Sequence, residues 1–403
     1  MEKIKAVVLF EDDCALTLEP LSLTRPIWAL RCGVRTLEEK IKAQFDGVGF
    51  RHAVRAYLTP LVKDPYRVGE FNPAELLWIN GALLPGKKFQ ELKRLQPGNA
   101  VCIENRLCAF RGLPPADWQP GTELPADGYE RMERLDDTGA VLRYPWQWVH
   151  AMISEMDREA RLLRNLGSQC EGMHDTVVLL NAADIAIAPG CQVFPFAVLD
   201  ATAGPVVLDE KVKIGAHAVI EGPAYLGPGT QVKPFTHIRG SCFGSECRVG
   251  GEISESILQG FTNKQHGGFL GNSFLGEWCN LGSGTETSNL KNNYSPVKVQ
   301  VGQELVNTGQ LFVGLTMGDH SKTAIGTVLN TGTVVGVACN LYGAGFPPRF
   351  IPSFHWGGAE KLMKYPLNRT LEIAKAVMSR RSRRLLDGEI EVLQWIHQNR
   401  SAQ

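Results

Sequence analysis

Two periodicities divide the chain. Up to about Leu166, apolar residues come in short runs separated by helical patterns: KAVVLF reads as a strand, VRTLEEKIKAQF as a helix, and AELLWING as a second strand closed by a turn. A proline-rich, acidic stretch, LPPADWQPGTELPADGYERMERLDD, interrupts this α/β alternation. WQWVHAMISEMDREARLLRNL follows with the spacing of an amphipathic helix. Beyond Val177 the period becomes six. Ile214, Ile220, Leu226, Val232 and Ile238 are evenly spaced, and a small residue (Ala218, Ala224, Thr230, Thr236, Cys242) stands at the fifth place of each hexad. Phe243 and Val249 continue the run after a shorter step; Leu275 with Leu281, and Ile325 with Thr331 and Val337, resume it.

A period of six fits neither a helix nor a hairpin meander. It fits a triangular parallel coil, in which each hexad gives one short strand, its aliphatic residue stacks inward, and a small residue turns the corner. The 42 glycines supply such corners. The segments 259–268 and 289–313 break the period and are expected to project as loops. From Pro366 onward, Leu371, Ala374, Val377 and Met378 form one stripe, which predicts a capping or packing helix. The expected organisation is therefore an α/β domain over 1–172, the coil over 173–358 and a helical segment over 359–403.

Charge narrows the partners. Lys plus Arg and Asp plus Glu both number 42, so no net field is available to hold nucleic acid or an anionic membrane. No segment reaches the roughly 20 uninterrupted apolar residues of a spanning helix, and a cytoplasmic protein is expected. The ten cysteines show no C-x-x-C pair, so buried thiols are expected rather than zinc ligands or disulfides.

The stretch KQHGGFLGNSFLGEWCNLGSGTETSNLKNNY resembles the acetyltransferase signature of the bifunctional enzymes that make UDP-N-acetylglucosamine. His266, Leu270, Gly271, Asn280, Gly282, Gly284, Thr285 and Asn289 fall on matching positions, while Phe269, Ser283 and Leu290 replace two tyrosines and an alanine. A shorter, sugar nucleotidyltransferase-like form of these proteins is similar over more of the chain, through the pattern LxxTRPxxxLRxGxxTLxEK at Leu21–Lys40 and FPPRFIPSFHWGG at Phe346–Gly358. The resemblance implies a nucleotidyltransferase-like (Rossmann-like) α/β domain, a left-handed parallel β-helix, a homotrimer with sites between subunits, and acetyl-CoA as donor. It places Arg25 and Lys40 where that family contacts nucleotide phosphates.

Acetyl transfer to an amino sugar needs a base, and a neutral imidazole suits that task. His266, beside Gly267 and Gly268, is the candidate, with His320 second. Backbone N–H groups at Gly282–Gly284 suit an oxyanion, which puts Ser283 and Gly284 near the donor. Asn280, Asn289 and Phe269 are candidates for the sugar, and Lys264 and Lys298 for a sugar phosphate. Arg380 and Arg381, in a cluster with Arg383 and Arg384, are candidates for coenzyme A phosphates. His266 is also readable as a merely exposed loop residue, Lys264 and Lys298 as solvated lysines, and the arginines as a solvated helix face or contacts to a neighbouring subunit.

The first domain has no glycine between its first strand and Gly33, so the family's phosphate-cradling loop is missing, and Asn80-Gly81-Ala82 stands where an Asp would hold Mg²⁺. Magnesium is expected only if that domain is active, with Glu11, Asp12 and Asp13 as alternative ligands or as an ordinary polar loop. Three functions stay open: acyl transfer to an amino-sugar phosphate or nucleotide sugar, nucleotidyl transfer, and non-catalytic binding of a nucleotide sugar.

Overall fold

The computed structural model describes residues 3–103, 106–125, 129, 131–134, 139–162, 166–168 and 173–401. Parts of the acidic stretch, the end of the 146–166 helix and the expected boundary at 172 lie outside the described residues.

The first strand, β1 (Ala6–Phe10), is wholly buried, as its unbroken apolar run demands of a strand covered on both faces. It pairs in parallel with β2 (Gly49–Ala53) and β3 (Leu76–Asn80). The sheet continues through β4 (Asn99–Ile103), β5 (Arg106–Arg111) and β6 (Arg131–Arg134) in the order β2-β1-β3-β5-β4-β6. β5 is antiparallel to both β3 and β4, so the expected α/β sheet is mixed rather than all parallel. One sheet face packs aromatics, with Trp78 stacked on Phe110 at 5.3 Å. The other carries Val7, Leu9, Leu77 and Ile79 toward α1 (Leu37–Lys42) and α2 (Pro145–Leu162). A Thr36–Glu39 capping box starts α1, which is far shorter than the predicted segment.

The hexads form a parallel solenoid with three faces. The first face has six strands starting at Val178–Leu180, the second nine starting at Ile185–Ile187, and the third ten starting at Gln192–Val193; only the last strand of the third face, Leu362–Lys364, runs antiparallel. Corners are turned by residues with left-handed backbone, and many are not glycine: Phe196, His217 and Phe235 in one column, Phe261, Trp278, His320, Ala338 and Phe354 in another. Between Ser288 and Gly314 the coil does project, as a hairpin of Lys298–Val301 with Glu304–Asn307.

Two expectations about phase are corrected. Residues 259–268 do not leave the coil: Ile257–Gly260 and Asn263–Lys264 continue the second and third faces, and Lys264 takes an inward position stacked on Val249. The period was hidden because this coil is three residues short and its inward residue is a lysine. Ile325, assigned inward, is 83% exposed; the inward series there is Met317, Thr323, Leu329, Val335 and Leu341. The C-terminal segment is two helices, α3 (Leu367–Ser379) and α4 (Asp387–Asn399), not one. PRFIPSFHWGG forms the last coil, with Phe354 fully buried. No helix among the described residues is long and apolar enough to cross a membrane.

On the second face, outward residues are apolar too. Val207, Tyr225, Cys242, Ile257 and Phe274 join one core with Trp148, Met152 and Met156 of α2 and with the β1–β3 sheet. α4 closes the arrangement, stacking Trp395 on Tyr57 at 3.7 Å and pairing Arg400 with Glu19 at 3.2 Å.

Among the described residues eight of nine thiols are buried, as expected of most, and this sets a pH response. Burial raises Cys14, Cys32 and Cys279, brings Cys242 to about 11, and brings Cys108, Cys247 and Cys339 to about 12. These groups hold their protons in the folded chain while the unfolded chain loses them near 9, so stability is lost as pH rises through that value. Burial lowers Lys264 and Lys322 to about 8, which acts in the opposite sense from pH 8 upward. Seven thiols outweigh two lysines. Urea unfolding under reducing conditions should show stability falling between pH 8.5 and 9.5, to a degree set by roughly 1.4 kcal/mol per proton per pH unit.

Candidate functional site

The C-terminal ends of β1, β2 and β3 meet where open α/β sheets bind ligands, and here ion pairs fill that place. Glu11 accepts from Arg55 (N at 3.0 Å, Nη2 at 3.0 Å) and from the Ile27 N–H at 3.0 Å, which fixes the Thr24-Arg25-Pro26 loop. Asp13 is gripped by both Arg106 terminal nitrogens, at 2.5 and 2.9 Å, and Asp12 by Arg106 at 3.1 Å and Asn80 at 2.8 Å. Arg106 holds Asp13 below the usual carboxylate range, while burial pushes Asp12 up. Asp12, Asp13 and Cys14 are close enough to share a metal ion, yet a guanidinium already satisfies both carboxylates. This donor set does not fit Mg²⁺.

Arg25 points away from that sheet. It pairs with Asp319 of the coil and reaches Glu277 at 3.4 Å. Asp319 also accepts from Thr24 Oγ1 at 2.9 Å and from the Glu277 N–H at 2.9 Å. Gly276 permits this approach, since a Cβ there would lie 2.1 Å from Asp319 Oδ1. Gln259 adds a second tie, accepting from Arg31 N at 3.0 Å and donating to Ala29 O at 2.8 Å. No sequence signal marked Glu277 or Gln259.

These contacts frame a cleft of 640 Å³ between the first domain, the solenoid corner and α4. Its floor is the corner column: Phe261 stacks on Trp278 at 4.3 Å, and Trp278 on His320 at 6.4 Å. His320 is 8% exposed, burial lowers its pKa to about 4, and its Nδ1 has no hydrogen-bond partner. Asp319 and His320 are therefore not a base and its orienter; Asp319 is spent on Arg25.

His266 lies on a different corner, between the third and first faces, and is exposed. The flanking coils bring glycines to it, Gly250 and Gly251 on one side and Gly282 and Gly284 on the other, so the corner is a glycine-rich notch. Ser283 and Gly284 are in the next coil, where the Gly284 N–H donates to Gly267 O at 3.1 Å.

The other expected residues are dispersed. Lys264 is 1% exposed inside the coil. Asn280 is outward on the third face beside Asn263. Asn289 Nδ2 donates to Asn272 at 2.7 Å, Phe269 is partly buried on the first face, and Lys298 is exposed on the projecting hairpin. Lys40 is buried in α1, 2.7 Å from both Glu155 and Glu159 of α2. Arg381 donates to Glu246 and to Asn263 Oδ1 at 2.8 Å, lying along the third face, while Arg380 is exposed.

Residues 7–166 match the family model described as sugar nucleotidyl transferase. Among curated proteins, the chain is 35% identical over 149 residues to the bifunctional protein GlmU of Methanococcus aeolicus, covering 32% of this chain and 36% of that protein. The chain resembles the GlmU proteins. The GlmU of Thermus thermophilus is 38% identical over 106 residues, 26% of this chain and 22% of that one. The bifunctional sugar-1-phosphate nucleotidylyltransferase/acetyltransferase of Sulfurisphaera tokodaii is 28% identical over 147 residues, 34% of this chain and 35% of that one. The aligned region thus spans 22% to 36% of the length of these GlmU-type relatives.

The Arg25–Asp319 pair ties two parts of the chain together, and removing one member strands a buried charge. Asp319→Ala should lower unfolding free energy by about 3–5 kcal/mol. Arg25→Ala combined with it should add much less than its single effect, as a double-mutant cycle in urea will read.

Proposed function

We propose that the chain is a coenzyme-A-dependent acyltransferase that acetylates an amino-sugar phosphate or nucleotide sugar, with His266 as general base. One observation carries this reading: an exposed imidazole mounted on a glycine-rich solenoid corner, in a chain similar to bifunctional nucleotidyl- and acetyltransferases. A substrate amine in the notch would lose a proton to His266 as it attacks the thioester. The backbone N–H of Ser283 would face the developing oxyanion, since that of Gly284 is already given to Gly267 O. Asn280 and Arg381 border the third face, which leads to the notch and would offer the adenosine phosphates a track, with Arg380 exposed beside Arg381. Acetyl-coenzyme A supplies the activated acyl group when bound; no step is assigned to Mg²⁺, whose expected ligands are held by Arg55 and Arg106. Residues 1–172 would serve as the nucleotide-sugar domain, 173–358 as the transferase and 359–403 as the strap between them, in a cytoplasmic homotrimer.

The cleft favours a second reading for the first domain, as a binding module rather than a nucleotidyltransferase. Its 640 Å³ is the size of a small-molecule site, with the corner rings on its floor and a His320 whose Nδ1 has no partner. UDP-sugars would then raise the melting temperature without pyrophosphate being formed.

Acetyl-CoA with glucosamine-1-phosphate should release free coenzyme A, followed by thiol detection, and His266→Ala should reduce kcat by about 10²–10⁴-fold. Undiminished turnover in that variant would remove His266 from the base role.

A further inference from the structure

We propose that Lys264 is a positioning residue for the His266 corner: its ammonium lies inside the solenoid and holds the backbone on which His266 is mounted. The inference rests on the reading of His266 as the base.

On the third face, successive inward positions are Ile214, Val232, Val249, Lys264, Leu281, Thr323 and Leu341. A charge among aliphatic side chains is costly unless it is hydrogen-bonded. Lys264 Nζ donates to Gly250 O at 3.0 Å and to His266 O at 2.8 Å. These carbonyls belong to consecutive coils, so one ammonium ties both at the corner.

The glycines make that tie possible and necessary. A Cβ on Gly251 would come within 3.0 Å of Lys264 Nζ and of His266 O, and one on Gly250 within 2.3 Å of Gln265 O. The missing side chains at Gly250 and Gly251 therefore give the ammonium its room. The same clearance strips the corner of packing: a Cβ on Gly267 would meet nothing within 4 Å. Elsewhere on this column the ring stack of Phe196, His217 and Phe235, at 5.0 Å spacings, braces the corner from outside. At His266 the brace is internal. The bore stays polar below it, where Thr285 and Thr323 share a 2.7 Å hydrogen bond and Thr287 donates to Phe269 O at 3.2 Å. Glu286, which accepts from Phe269 N at 2.8 Å, is the carboxylate acting on Lys264.

Two substitutions separate bracing from mere filling. Methionine reproduces the shape of the lysine stem without a donor; glutamine is shorter and keeps one. If Lys264 positions the corner, Lys264→Met folds, but amides 265–269 exchange with deuterium about tenfold faster, as loss of a charge-assisted hydrogen bond implies. Lys264→Gln recovers much of that protection, and kcat for acetyl transfer follows the same order. The reverse order, with methionine like the wild type and glutamine worse, would show that Lys264 only fills space and overturn the proposal. Should the wild type transfer no acetyl group, the His266 assignment falls, while the exchange order still decides what Lys264 does. Should Lys264→Met not fold, the wild type decides. Exchange of the same amides, normalised to an unstructured peptide, then rises from pH 7 to 9 as the ammonium discharges, and a flat profile overturns the proposal.

Discussion

The structure depends on one constraint: the second face of the solenoid is apolar on both sides. Strand alternation sends Leu226, Phe243, Leu258 and Leu275 inward and Tyr225, Cys242, Ile257 and Phe274 outward. An outward row of that size cannot be left in water. The sheet of the first domain and α2 cover it, and the two halves share a core instead of being joined by a linker. Once the face is covered, the corner at its edge comes against the Thr24–Arg31 loop, and Arg25 meets Asp319. The same geometry brings α4 back across the corner and encloses the cleft.

This docking changes the use of residues that a family pattern would assign to phosphate. Arg25 neutralises a solenoid aspartate, Lys40 sits between Glu155 and Glu159, and Arg106 occupies the acids that follow β1. Arg25 and Lys40 are buried, Arg106 is half-buried, and all three are paired. A desolvated cation with carboxylates at hydrogen-bond distance has satisfied its electrostatic demand, and an incoming phosphate would have to displace those partners. The balance of 42 cations against 42 anions along the sequence is partly a balance of such internal pairs.

How much of this was legible follows from which signals are periodic. The hexads from Ile214 to Ile238 disclosed the solenoid, because inward residues repeat wherever coils keep one length. The reading failed where length or chemistry changed. Val249 to Lys264 is a short coil, so the segment looked like a loop, and Ile325 seemed inward although the phase had shifted across the 289–313 insertion. The corner columns were invisible for another reason: left-handed positions are ordinarily filled by glycine, and here Phe261, Trp278 and His320 occupy them. Gln259 and Glu277 could not be found from sequence, because their partners lie more than two hundred positions away.

The histidines show how position in the solenoid decides chemistry. Both stand at corners, yet His320 is enclosed by Trp278 and the docked first domain, and desolvation keeps it neutral far below physiological pH. His266 has no ring above it and no domain over it. A base must be reached by its substrate; His266 is exposed at the corner that the first domain leaves open, whereas His320 is buried at the one it covers. Covering one face and clearing one corner are then complementary. The rigidity that docking lends to the second face leaves the glycine-lined notch as the part of the coil that needs an anchor of its own.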